Sequence, residues 1–153
     1  VNNIVFTINV GVISQRILSF YGQDPSIKKP DIWETHWRSR IGHLMPENED
    51  VWWSIDQETE FEKLGQSLLG KIETFLLPNL HKIISDTALR DLWLSGKAPS
   101  LTDFQRLMFL CILLKQIGPS DLVDPTINEI KRISENRPIA VTADVFIEKL
   151  RSI

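Results

Sequence analysis

Residues 33–56 read WETHWRSRIGHLMPENEDVWWSID, and how that stretch folds decides what kind of domain this chain builds. It carries four of the five tryptophans and two of the three histidines. Rings of that size cluster where something large packs or binds. From His36 to His43 the odd positions are Trp37, Ser39, Ile41 and His43, and the even ones begin His36, Arg38, Arg40. One face is then part apolar and the other basic, as in a half-buried strand. Val51, Trp53 and Ile55 alternate with Trp52, Ser54 and Asp56 in the same way. The link from Met45 to Asp50 suits a hairpin loop, so the spacing predicts two antiparallel strands, about 36–43 and 51–55. A helix competes over 33–44, because Trp33, Trp37, Ile41 and Leu44 also fall at i, i+4, i+8 and i+11.

Upstream, residues 4–13 read IVFTINVGVI, with Ile4, Phe6, Ile8, Val10 and Val12 apolar on alternate positions. Period two with β-branched residues predicts a strand over about 4–13. Ser14 to Tyr21 fits either a continuation of that strand or a short helix. Gly22 to Ile32, with two prolines and two lysines, reads as a loop. Downstream the apolar period changes. Thr59 and Glu62 form a T-x-x-E capping box, and Phe61, Leu64, Leu68, Leu69, Ile72, Phe75 and Leu76 trace a helical stripe that Pro78 ends. Ser85 or Asp86 caps a second helix around Leu89, Leu92 and Trp93, with Gly96 just past its end. Ser100 and Thr102 precede a strongly apolar third helix that Gly118-Pro119 stops. Asp124-Pro125 opens a fourth helix, and Thr142 caps a last short one holding Val145, Phe146 and Leu150. Strands first and helices after make an α+β domain: N-terminal antiparallel strands (about 4–13, 36–43, 51–55) followed by a set of packed C-terminal helices. Residues 1–153 read as one domain, with a candidate sub-boundary near residue 97.

The bulk properties narrow the function classes. A chain of 153 residues can bury a real core unaided. Cys111 is the only cysteine, so an intramolecular disulfide is excluded and nothing demands an oxidising compartment. The longest apolar run, Leu107 to Leu114, is far shorter than the roughly 20 residues that span a bilayer. No basic segment precedes an apolar one at the start, as a secretory signal requires. These features predict a soluble, cytoplasmic protein with no membrane partner. A net charge of −3 disfavours nucleic acid, whose binders work by neutralising phosphates. The chain opens at Val1, directly in a strand-like run, and the N-terminal part of the domain is expected to be missing.

FTINVGV at 6–12, HWRSRIG at 36–42 and VWWSID at 51–56, in that order and spacing, resemble a bacterial family, domain-of-unknown-function family 4304. LTDFQRLMFLCILLKQIG at 101–118 is similar to the family's later helical part. The resemblance covers nearly the whole chain and implies a small α+β domain. It also implies that this chain lacks the family's opening helix and first strands. It implies no activity.

The candidate chemistry lies on the polar face of the opening stretch. His36, Arg38 and Arg40 share one strand face, where two guanidinium forks can clamp a phosphate or carboxylate. A hairpin would add Trp52 and Asp56 to that face. Arg stacking on Trp and pairing with Asp would then account for the same residues without a ligand. His36 and Asp56 as a general acid–base pair lack a companion motif. No spacing among His36, His43 and His81 suits a metal, and no cofactor is expected. Cys111, mid-stripe in an apolar helix, reads as a buried small hydrophobe. Asn9 is a polar residue in a strand, two before Gly11. Residues 46–62 hold seven acids and no base, either a solvated face or a strip that meets a basic partner with Trp52 as anchor. The leading expectation is a non-enzymatic protein–protein interaction module whose partner has a basic surface. One concrete form is an immunity-type protein that neutralises a basic toxin. The alternative is an enzyme or binding protein for a small anionic ligand, using the His36, Arg38, Arg40 and Asp56 face.

Overall fold

Two short ribbons lead into a helical body in the computed structural model, which describes residues 3–24 and 31–153. The strand expected over 4–13 is split in two at Thr7 and Ile8. β1 (Ile4–Phe6) pairs antiparallel with β4 (Trp53–Ile55), placing Ile4 opposite Ile55 and Phe6 opposite Trp53. β2 (Asn9–Val12) pairs antiparallel with β3 (Trp37–Arg40), placing Asn9 opposite Arg40 and Val12 opposite Trp37. The hairpin expected between 36–43 and 51–55 is not formed. Its two strands lie instead against successive parts of the 4–12 segment.

Backbone hydrogen bonding shows why. Ile41 N–H donates to the Ile8 carbonyl at 3.0 Å, and Thr7 Oγ1 donates to the Val51 carbonyl at 2.8 Å. The partner strand therefore leaves the ribbon at Ile41 and returns at Val51. Between them it makes an excursion that starts as a 3₁₀ turn, Ile41–Leu44. Gly42 sits in the neck. A Cβ there would collide with the Glu49 carbonyl and stand 2.7 Å from the Val51 nitrogen, so the close approach needs glycine. The helix that competed for 33–44 survives only as this turn and another at Ile32–Glu34.

Ser14 caps α1 (Gln15–Phe20) by accepting from Ile17 N–H, which settles that ambiguous segment as helix. Of the loop expected over 22–32, residues 25–30 lie outside the described residues. The capping box expected at Thr59 is absent, because the Thr59 hydroxyl turns back to Asp56 and Glu60 starts α2 (Phe61–Lys71) without a side-chain cap. Pro78 does not end this helix. A π turn, Ile72–Leu76, carries the chain into α3 (Leu77–His81), with Pro78 in its first turn. Proline lacks the N–H that would continue the ladder, and the widened turn just before it relieves the ring's clash with the preceding carbonyls.

The remaining helices follow the sequence closely. Ser85 caps α4 (Asp86–Leu94), and Gly96 beyond it has φ +79°. Thr102 and Gln105 form a capping box on α5 (Asp103–Ile117). α6 (Val123–Ser134) starts one residue before Asp124, and α7 (Ala140–Arg151) starts two before Thr142. Helix α5 is the centre of the body. Leu107, Met108, Leu110 and every residue from Cys111 to Leu114 are buried, because α1, α4 and α6 pack around it. Each such side chain contributes about 1.5–3 kcal/mol as an upper bound. Val12, Ile17, Phe20 and Trp37 join that same apolar cluster, which also holds Trp93, Phe146 and Leu150. The β2–β3 ribbon is thereby fixed to the helices. β1, β4 and α2 are not: Ile4, Val5, Phe61 and Leu69 are exposed, and α2 buries no residue.

Candidate functional site

The anchored ribbon forms one wall of a cleft of about 560 Å³, closed by the turn at Ile32–Trp33 and the α4–α5 linker at Pro99–Ser100. Arg38 and Arg40 both line it, since residues two apart on a strand share a face. Asn9, Ser39, His43 and Asn48 supply further polar groups.

Each arginine is held in place. Asp31 and Glu34 form a capping box on the 3₁₀ turn, which leaves Trp33 72% exposed. The Arg38 guanidinium lies 5.2 Å from the Trp33 ring centre and donates to the carbonyls of Trp33 (3.2 Å) and Ser100 (3.1 Å). Ser100 Oγ returns a bond to the Arg38 carbonyl at 2.9 Å, which stitches the α4–α5 linker to β3. Arg40 pairs with Asp50 and sits 4.9 Å over the Trp52 ring, whose Nε1 donates to Asp50 at 3.1 Å. The excursion from Ile41 to Trp52 thus brings its own far end back to Arg40. Trp52 remains 51% exposed.

The other two predicted site residues lie elsewhere. His36 was expected on the solvent face with the arginines, yet it is only 4% exposed. Its Nδ1 accepts from Ser14 N–H at 2.9 Å, and its ring meets Phe109 of α5 edge-on at 4.9 Å. A ring nitrogen that accepts a hydrogen bond is unprotonated, so the imidazole is neutral. Burial pushes its pKa down to about 4, against a smaller upward pull from Asp86. His36 lines a second cavity of about 480 Å³, which shares Trp33 and Arg38 with the first. Asp56 belongs to neither cavity: it accepts from Glu58 N–H and Thr59 Oγ1 and shapes the turn before α2. The structure therefore brings Arg38 and Arg40 to one cleft with Trp52 stacked on Arg40, leaves His36 buried beside a second cavity that Arg38 also lines, and sets Asp56 apart from both.

Sequence reasoning missed Trp33, Asp50 and Ser100 as the residues that position the arginines. Trp33 stands before the alternating run, and Ser100 is 62 residues from Arg38. Asp50 was legible only as one acid among seven. Outside the cleft, burial raises the Cys111 thiol to about 12, which suits a core residue. Among the described residues no three His, Cys, Asp or Glu side chains converge. No helix is long and apolar enough to cross a membrane among those residues.

A family model described as Domain of unknown function (DUF4304) matches residues 2–82. No curated protein and no solved structure matches the chain.

Proposed function

The chain belongs to the DUF4304 family, whose description names no activity, and we propose that it is a non-enzymatic module that binds a protein with a basic surface. The observation that supports this reading is Trp52, half exposed and held by Asp50 and Arg40 within an acidic strip. Glu47, Glu49, Asp50, Asp56, Glu58, Glu60 and Glu62 are all exposed, and no basic residue interrupts them. Of these, Glu47, Glu49, Asp56, Glu58 and Glu62 take no ion pair among the described residues. A pre-ordered aromatic ring loses little entropy on docking, and the surrounding charge steers a basic partner toward it. The exposed apolar residues of β1 and α2, Ile4, Val5, Phe61 and Leu69, extend the surface that a partner could cover. In its sharpest form the module is an immunity-type protein of the bacterial cytoplasm that masks a basic toxin.

Capture from native lysate tests this reading when wild type is compared with a Glu49→Lys, Glu58→Lys double variant. Neither glutamate holds the fold, so the variant should remain folded. The expected result is one basic protein retained by wild type, weakened by salt and lost from the variant. Identical retention by both, or retention of acidic proteins alone, would overturn the proposal.

A further inference from the structure

We propose that the cleft beside β3 is a second, separate site, which takes a small phosphate ester carried on a flat ring. This goes beyond the interaction surface and rests on the lining of the cleft, sharing with that surface only Trp52, which stacks on Arg40. The first is charge. The chain carries −3 overall, yet Arg38 and Arg40 line this cleft and, among the described residues, no carboxylate does, Asp50 meeting Arg40 from outside the lining. Arg38 is held by two carbonyl oxygens and a ring, with no carboxylate partner among the described residues, so its charge faces the cleft uncompensated. The second is donor capacity. A guanidinium has five N–H groups. Two of those on Arg38 are spent on carbonyls, and Arg40 pairs through Nη1 alone. The third is order. Stacking on Trp33 and Trp52 fixes both forks before any ligand arrives, which removes much of the entropy cost of binding.

The group follows from the number of donors. Two forks converge on one cleft, and a carboxylate, with two oxygens and one charge, is saturated by a single fork. A phosphate monoester offers three terminal oxygens and close to two charges, enough for both forks. Asn9, Ser39 and Asn48 add hydroxyl and amide groups, while Trp33, Trp37 and Leu44 give the walls a flat, apolar character suited to a ring. The volume of about 560 Å³ falls within the range of small-molecule sites.

Isothermal titration calorimetry at low salt on the whole chain tests the proposal, with phenyl phosphate, inorganic phosphate and benzoate as probes. Phenyl phosphate should bind saturably at one site, more tightly than inorganic phosphate and more tightly than benzoate. Arg40→Ala should weaken phenyl phosphate by about tenfold or more. Arg38→Lys keeps the charge but loses the fork, and should weaken it by a similar factor. Both variants are first checked for an unchanged circular dichroism spectrum. No saturation by about 10 mM would overturn the proposal. So would unchanged affinity in a folded Arg40→Ala protein, or benzoate binding as tightly as phenyl phosphate.

Discussion

Acid should destabilise this fold through one imidazole, and the size of the effect follows from the position of His36. The ring is buried, and its Nδ1 is committed to accepting from Ser14 N–H. Protonating that nitrogen would set two N–H groups against each other at a buried position. The folded pKa is accordingly depressed to about 4, against an ordinary 6.5. Between those values the unfolded chain binds the proton and the folded chain does not. Stability is therefore fully present above the unfolded value and lost as pH falls from there toward the folded one. For these two pKa values the loss between about pH 7 and about pH 5 is about 2 kcal/mol. Urea denaturation at both pH values measures it, in wild type and in His36→Asn. Asparagine keeps an acceptor for Ser14 and has nothing to titrate. The variant should start less stable, because it loses the ring contact with Phe109. Its drop between the two pH values should be smaller than that of wild type by about 2 kcal/mol. An equal drop in both proteins would show that His36 is not the group that titrates.

Three further outcomes follow from particular contacts. Gly42→Ala forces a methyl group onto the Glu49 carbonyl at the neck of the excursion. It should cost about 1–3 kcal/mol in a thermal melt, whereas Ala at Gly65, where nothing lies nearby, should not destabilise. Asp50→Asn loosens Arg40 and Trp52 together. Because that pair is surface-exposed, stability should change by less than about 1 kcal/mol while the fluorescence of the protein shifts as Trp52 loses its partner. Cys111, with a thiol pushed up to about 12, should react with a disulfide reagent only after denaturant is added.

Much of the helical body was legible because its signals are local. Thr102 announces the start of α5, and the run from Leu107 to Leu114 requires a helix covered on every side. The strands were legible as strands but not in their pairing. Alternation marks which residues face the same way, yet it does not say that the partner of residues 4–12 leaves at Ile41 and returns at Val51. That depends on Gly42 tolerating a backbone contact seven residues ahead, which no short-range pattern encodes. The same limit applies to the site. Arg38 and Arg40 on one face could be read from parity. The assumption that His36 shares their exposure failed because α5, about 70 positions later, covers it with Phe109. Pro78 misled for a different reason: the sequence marks a break, and a π turn absorbs it.

The claim that matters most is that Trp52 and its acidic surroundings meet a basic protein. A photo-cross-linking residue placed at position 52, and separately at Val145 on the exposed side of α7, tests it inside the cell. An adduct with one basic protein at position 52, absent at 145 and absent when Glu49 and Glu58 are reversed to lysine, is the predicted result. The same adducts from both positions, or none from position 52 in a folded protein, would contradict the account.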